Sequence, residues 1–133
     1  MEIIRSGDKI LAIIYLESDW KPGLNFFTPE TFFIQVGSWR YPKGKKLASH
    51  IHKTYERSAL KTHEMAFVKK GAMKLLIYDD FKNKVGDRIL RAGDLVVLAG
   101  GGHGYEILEE DTCVLEVKNG PFIDVEKDKE KFE

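Results

Sequence analysis

Cysteine is nearly absent. Cys113 stands alone among 133 residues, which rules out an intrachain disulfide and suits a reducing compartment. Its neighbours Thr112, Val114 and Leu115 read as strand, so the thiol is expected to be a small buried apolar group. Neither sign of charge is in excess, since 21 Lys and Arg balance 21 Asp and Glu. A protein held to nucleic acid by counterion release carries a basic excess or stripe. None is present, and Lys43, Lys45 and Lys46 read as a solvated turn. Long apolar runs are missing too. The longest, residues 10–16, is far shorter than the roughly 20 residues that span a bilayer as a helix. Glu2, Arg5, Asp8 and Lys9 break up the N-terminal stretch, which has no secretory-signal pattern. The expectation is a cytoplasmic protein with no nucleic-acid partner and no membrane partner.

Sustained helical periodicity is also lacking. Short apolar or alternating runs recur instead, at 10–16, 31–36, 38–41, 64–68, 72–78, 88–90, 95–99 and 114–118, separated by Gly, Pro and acidic turn signals. Many short strands at spacings of about 8–12 residues indicate an all-β sandwich or barrel. Residues 64–68 and 72–78 flank Lys69-Lys70-Gly71 and read as a hairpin, with Gly71 supplying a positive φ. Hydrophobic residues make up 43% and aromatics 11%, enough for one core and one domain. That core is expected over about 9–122, with a charged tail over 123–133 that frays or forms a short helix.

Four histidines carry the chemistry: His50, His52, His63 and His103. On a strand, positions i and i+2 project from one face, so His50 and His52 would point the same way, roughly 7 Å apart. Two convergent imidazoles suit a borderline transition metal. Gly44 precedes His50 by five intervening residues, giving G-x5-H-x-H, and Glu64 precedes Gly71 by six, giving E-x6-G. Gly93 then opens a run that ends at Gly100-Gly101-Gly102-His103.

These residues resemble the two motifs of the cupin superfamily, G-x5-H-x-H-x3,4-E-x6-G and G-x5-P-x-G-x2-H-x3-N, across about residues 44–107. The resemblance implies a cupin-type jelly-roll β-barrel holding one divalent transition metal (Fe, Mn, Ni, Co or Zn). Its ligands would be His50, His52, Glu64 and His103, with one or two coordination positions left open. The chain departs from the pattern at three places. Eleven residues separate His52 from Glu64, so Glu56 competes for the carboxylate position. Ala99 replaces the proline, with His103 one residue early. Ile107 replaces the asparagine. His63, next to Glu64, would face the other way and reads as a surface or interface histidine.

Other polar residues fall near this constellation. The inserted segment 53–63 offers Arg57 to a phosphate or carboxylate and Tyr55 to a hydroxyl. Either Tyr105 or Glu106 must face inward if the strand after His103 continues, as a hydroxyl donor or a proton-shuttling carboxylate. Glu116 interrupts an apolar strand and is a candidate substrate contact. Period-2 alternation places Glu64, Ala66 and Val68 on one face, and Met65 and Phe67 on the other. The resemblance implies a homodimer and a small polar substrate such as a carbohydrate derivative, handled by an isomerase or epimerase. An Fe(II) dioxygenase and a non-enzymatic small-ligand-binding module are the alternatives.

Overall fold

The computed structural model describes residues 1–133, and nearly all of its regular structure is antiparallel strand. In chain order these are β1 (Glu2–Ser6), β2 (Lys9–Tyr15), β3 (Gly23–Phe26), β4 (Gly37–Arg40), β5 (Glu64–Lys70), β6 (Ala72–Tyr78), β7 (Lys84–Arg91), β8 (Leu95–Leu98), β9 (Gly102–Ile107) and β10 (Cys113–Lys118). A 3-10 turn (Glu17–Asp19) follows β2, and a one-turn helix α1 (Val125–Asp128) lies in the tail, capped by the Asp124 carboxylate at Lys127 N (2.8 Å). Five strands form one sheet in the order β1-β2-β8-β5-β10, and three form a second, β7-β6-β9. β3 and β4 pair only with each other. The strand pairing does not close these sheets into one barrel.

The two larger sheets pack face to face around a core built from both. Ile4, Leu11, Ile14, Val68 and Val96 come from the first sheet, and Met73, Leu75, Ile77 and Leu90 from the second. The far face of the five-stranded sheet is covered as well. Ile13, Tyr15, Leu95 and Val97 bury there under Trp20, Phe27, Phe32, Ile34 and Val36. This third layer explains the unbroken apolar runs of β2 and β8, since both of their faces are dry. It also corrects the reading of residues 31–36 as strand. Phe32, Ile34 and Val36 alternate, but as an irregular covering segment.

Two further expectations change. The segments around Gly71 are not a hairpin: β5 pairs with β8 and β10, whereas β6 pairs with β7 and β9. Gly71 does take a positive φ of 80°. What it provides is the crossing from one sheet to the other, and a Cβ there would lie 2.3 Å from Thr112 Oγ1. Cys113 is exposed, not buried, because β10 is an edge strand paired only with β5 and every one of its residues is exposed. β5 keeps its expected alternation, with Glu64, Ala66 and Val68 buried and Met65 and Phe67 turned to the outer layer.

Candidate functional site

At one end of the sandwich a buried carboxylate is met by groups from two other strands. Glu64 opens β5 and is only 6% exposed. Lys118, the last residue of β10, stands directly opposite it in register. From the facing sheet, His103 and Tyr105 on β9 project at i and i+2 and so share a face. His103 Nε2 lies 2.9 Å from Glu64 Oε1, and the Tyr105 hydroxyl donates to the same oxygen at 3.1 Å. Lys118 Nζ is 3.6 Å from Glu64 Oε2 and 2.8 Å from Glu116 Oε1.

The electrostatics follow from that geometry. Burial alone would raise the Glu64 carboxyl, but the hydrogen bond and charge of His103, the Lys118 ammonium and the Tyr105 hydroxyl together hold it below the usual carboxylate range. Burial, and then the charge of Glu64, pushes the Tyr105 phenol far above its ordinary value, so the hydroxyl remains a proton donor. Hydrogen bonding to Glu116 raises Lys118 and keeps it an ammonium. The result is a fixed anion flanked by an imidazole, a phenol and a cation, open to a cavity of about 700 Å3.

The backbone that delivers His103 is unusual. Between β8 and β9 the chain crosses from one sheet to the other through Gly100-Gly101-Gly102. Gly101 has φ of 60°, and a Cβ there would lie 2.0 Å from the Tyr78 carbonyl oxygen. The triple glycine therefore permits a close backbone crossing that sets where His103 begins its strand.

The structure separates the remaining candidates from this cluster. Residues 41–63 contain no helix or strand, and His50, His52, Tyr55, Glu56 and Arg57 on them are exposed. His50 and His52 have ring centroids 5.0 Å apart but lie side by side on this segment, away from Glu64 and His103. Tyr55 and Arg57 contact each other, with the guanidinium 4.1 Å from the ring centroid, and line a different cavity together with His52. Glu106 is exposed on the opposite face of β9, where it pairs in register with Lys74. Of the alternatives after His103, it is Tyr105 that faces in. Glu116 is partnered by Lys118 and stands opposite Ala66. Sequence reasoning missed Lys118, although its i+2 relation to Glu116 on a strand was the available signal.

His63 is buried at 5% exposure, a correction to its reading as a surface histidine. It does face away from Glu64, but the third layer covers that side. The ring lies against Phe32 and Phe33, with centroids 4.9 and 4.7 Å away, and Nδ1 accepts from Phe33 N at 3.2 Å. Asn119 Oδ1 accepts from His63 N at 2.7 Å, tying this segment to the end of β10. Burial, and then the Lys61 charge, lowers the imidazole below its ordinary value of 6.5. Unfolding frees it to take up a proton, so falling pH favours the unfolded chain. Thermal stability is expected to hold above about pH 6.5 and to decline below it, toward the lowered folded value. Melts between roughly pH 7.5 and 5.5 check this, with a shallower slope expected for His63→Gln.

The metal that the cupin resemblance implies would need a gathered set of donor side chains. Glu64 and His103 adjoin, but no group of three or more His, Cys, Asp or Glu side chains is gathered anywhere. The Lys118 ammonium already occupies the second carboxylate oxygen. In this arrangement the residues do not fit a metal ion.

Fold and site together define an all-β protein of stacked antiparallel sheets with an ionisable cluster between them, and no helix long and apolar enough to cross a membrane. No family model, curated protein or solved structure matches the chain.

Proposed function

We propose that the protein is a small enzyme of the cupin class that moves protons on a polar metabolite such as a carbohydrate derivative, as an isomerase or epimerase. The observation that carries this reading is the contact of His103 and Tyr105 with the buried Glu64 carboxylate at the wall of an open cavity. A carboxylate accepting from one imidazole nitrogen orients the ring and leaves the other nitrogen to act as a base. His103 takes a proton from the carbon beside a substrate carbonyl, the electron pair of that C–H bond forms a C=C bond, and the carbonyl π pair moves onto oxygen. The Tyr105 hydroxyl turns its one proton from Glu64 Oε1 to the resulting enolate oxygen. Return of the proton to the opposite face of the same carbon gives an epimer; where that carbon bears a hydroxyl, passage of the hydroxyl proton to the enolate oxygen and return of the carbon-bound proton to the former carbonyl carbon gives the isomer. Lys118 holds the Glu64 charge in place. The proposal includes a jelly-roll relationship, a homodimer and a cytoplasmic setting, as the motif resemblance implies.

A metal-dependent version is the second reading, favoured by the adjacent His50 and His52 rings. It requires residues 41–63 to rearrange and bring those rings onto Glu64 and His103. An Fe(II) dioxygenase is a further form of that reading, and a non-enzymatic small-ligand-binding module is the alternative to catalysis.

Two measurements on untagged protein test these proposals. Proton NMR in D2O, over a panel of aldoses, ketoses and their keto and phosphorylated derivatives, is expected to show deuterium entering a carbon beside the carbonyl of at least one compound. No incorporation across the panel would refute the isomerase reading. Elemental analysis is expected to find no stoichiometric transition metal. One equivalent per chain, lost on His50→Ala and His52→Ala, would establish the metal reading in its place.

A further inference from the structure

The tail does more than fray. After α1, residues 129–133 run along the cavity that holds Glu64, His103 and Tyr105, and form part of its lining. Phe132 is half-buried while its neighbours in this run are exposed. Its ring stands nearly perpendicular to Tyr78 with centroids 5.1 Å apart. Its other seat is Gly102, the residue before His103, where a Cβ would come within 2.7 Å of the ring. Polar contacts flank the aromatic seat. Glu130 pairs with Lys82 at 2.7 Å, and the Tyr78 hydroxyl donates to Glu133 Oε2 at 3.0 Å. At the near end, Asp128 accepts from the Thr62 hydroxyl.

The way this segment is held matters. No backbone hydrogen bond ties residues 130–133 to either sheet. Exposed ion pairs contribute little to stability and weaken with salt. The hold is therefore mainly the Phe132 ring, which rests on Gly102 and Tyr78 and has the Lys82 ammonium 5.6 Å from its centroid. Apart from Leu98, Ala99 and Phe132, the cavity lining is glycine, polar or charged.

We propose that residues 129–133 are a gate over the Glu64–His103–Tyr105 cavity, latched by Phe132, and that Phe132 in the closed state is a ligand-contacting wall. It suits a small ring compound with polar edges and one apolar face, because an aromatic ring offers such a face both contact area and a quadrupole. The functional importance of the gate rests on the proton-transfer reading above, but its existence does not.

Labelling with diethyl pyrocarbonate, followed residue by residue with mass spectrometry, tests access directly. Exposed His50 and His52 serve as internal standards, and buried His63 reports on general loosening. Two variants release the latch, Gly102→Ala by placing a Cβ against the ring and a chain shortened after Asp128 by removing the gate. With its side chain 30% exposed behind the gate, His103 is expected to label about threefold faster in both variants. His50, His52 and His63 are expected to keep their rates, and Phe132→Ala, which removes the latching ring, to raise the His103 rate as the other two variants do. An unchanged His103 rate in both variants, or a rise shared by His63, overturns the proposal. Because labelling reads access and not catalysis, failure of the gate is distinguishable from failure of the isomerase reading.

Discussion

His103→Gln is expected to slow solvent-deuterium incorporation by about 10²–10⁴-fold, the usual contribution of a positioned general base. Glutamine preserves size and can still donate to Glu64, but it offers no basic nitrogen. Tyr105→Phe is expected to lose a smaller factor, roughly 10²-fold, since it removes one hydrogen-bond donor from the developing oxyanion. These positions are singled out by the 2.9 and 3.1 Å contacts to one buried carboxylate oxygen. By contrast, Glu106→Gln and Tyr55→Phe are expected to leave the rate within about twofold, because the first faces out from β9 and the second lies on the exposed 41–63 segment. NMR progress curves on the purified variants check the contrast. Equal loss at all four positions would refute the assignment.

Gly101→Ala is expected to be the most damaging single methyl in the chain. The residue holds a φ of 60°, which costs a non-glycine residue roughly 1–2 kcal/mol. The added Cβ would also sit 2.0 Å from the Tyr78 carbonyl oxygen, a backbone atom that yields only if β6 moves. Together these place the loss at about 3 kcal/mol or more, a fall of roughly 10 °C in Tm for a domain of this size. Gly104→Ala is the control. Its Cβ would meet only the Leu76 side chain, at 3.8 Å and beyond, and is expected to cost under about 1 kcal/mol. Differential scanning calorimetry on both variants separates a crossing constraint from a general intolerance of side chains around His103.

Much of the strand content is legible in the sequence because alternation and turn residues act locally. β2, β5, β6, β8 and β10 fall where the apolar runs place them. Sheet membership is not local. Lys69-Lys70-Gly71 has the composition of a hairpin turn, and only the pairing of β5 with β8 and β10 shows that the chain changes sheet there. Burial is misread wherever a third layer or an edge decides it. His63 is covered by Phe32 and Phe33, whereas Cys113 is uncovered because nothing pairs with the outer side of β10. At the site, Glu64, His103 and Tyr105 were visible as spacings, and the structure joins them. His50 and His52 share a strand-like spacing, but residues 41–63 bring too few inward apolar groups to form a strand: Leu47, Ile51, Tyr55 and Leu60 are all exposed. Lys118 reaches Glu64 only through strand register, and Phe132 reaches the cavity only through tail docking, which no local pattern encodes.

Titration of the Glu64 carboxyl carbon by 13C NMR probes the cluster without any substrate. In the folded protein its midpoint is expected to fall below the ordinary 4.5, because His103, Lys118 and Tyr105 stabilise the anion more than burial penalises it. A depressed folded value means that this group contributes stability above the unfolded midpoint, lost as pH falls through the folded one. Removing the imidazole as His103→Gln is expected to move the midpoint upward, leaving burial less opposed. A Glu64 midpoint at or above 4.5 in the intact protein, indifferent to His103, would show that these side chains do not meet between the sheets.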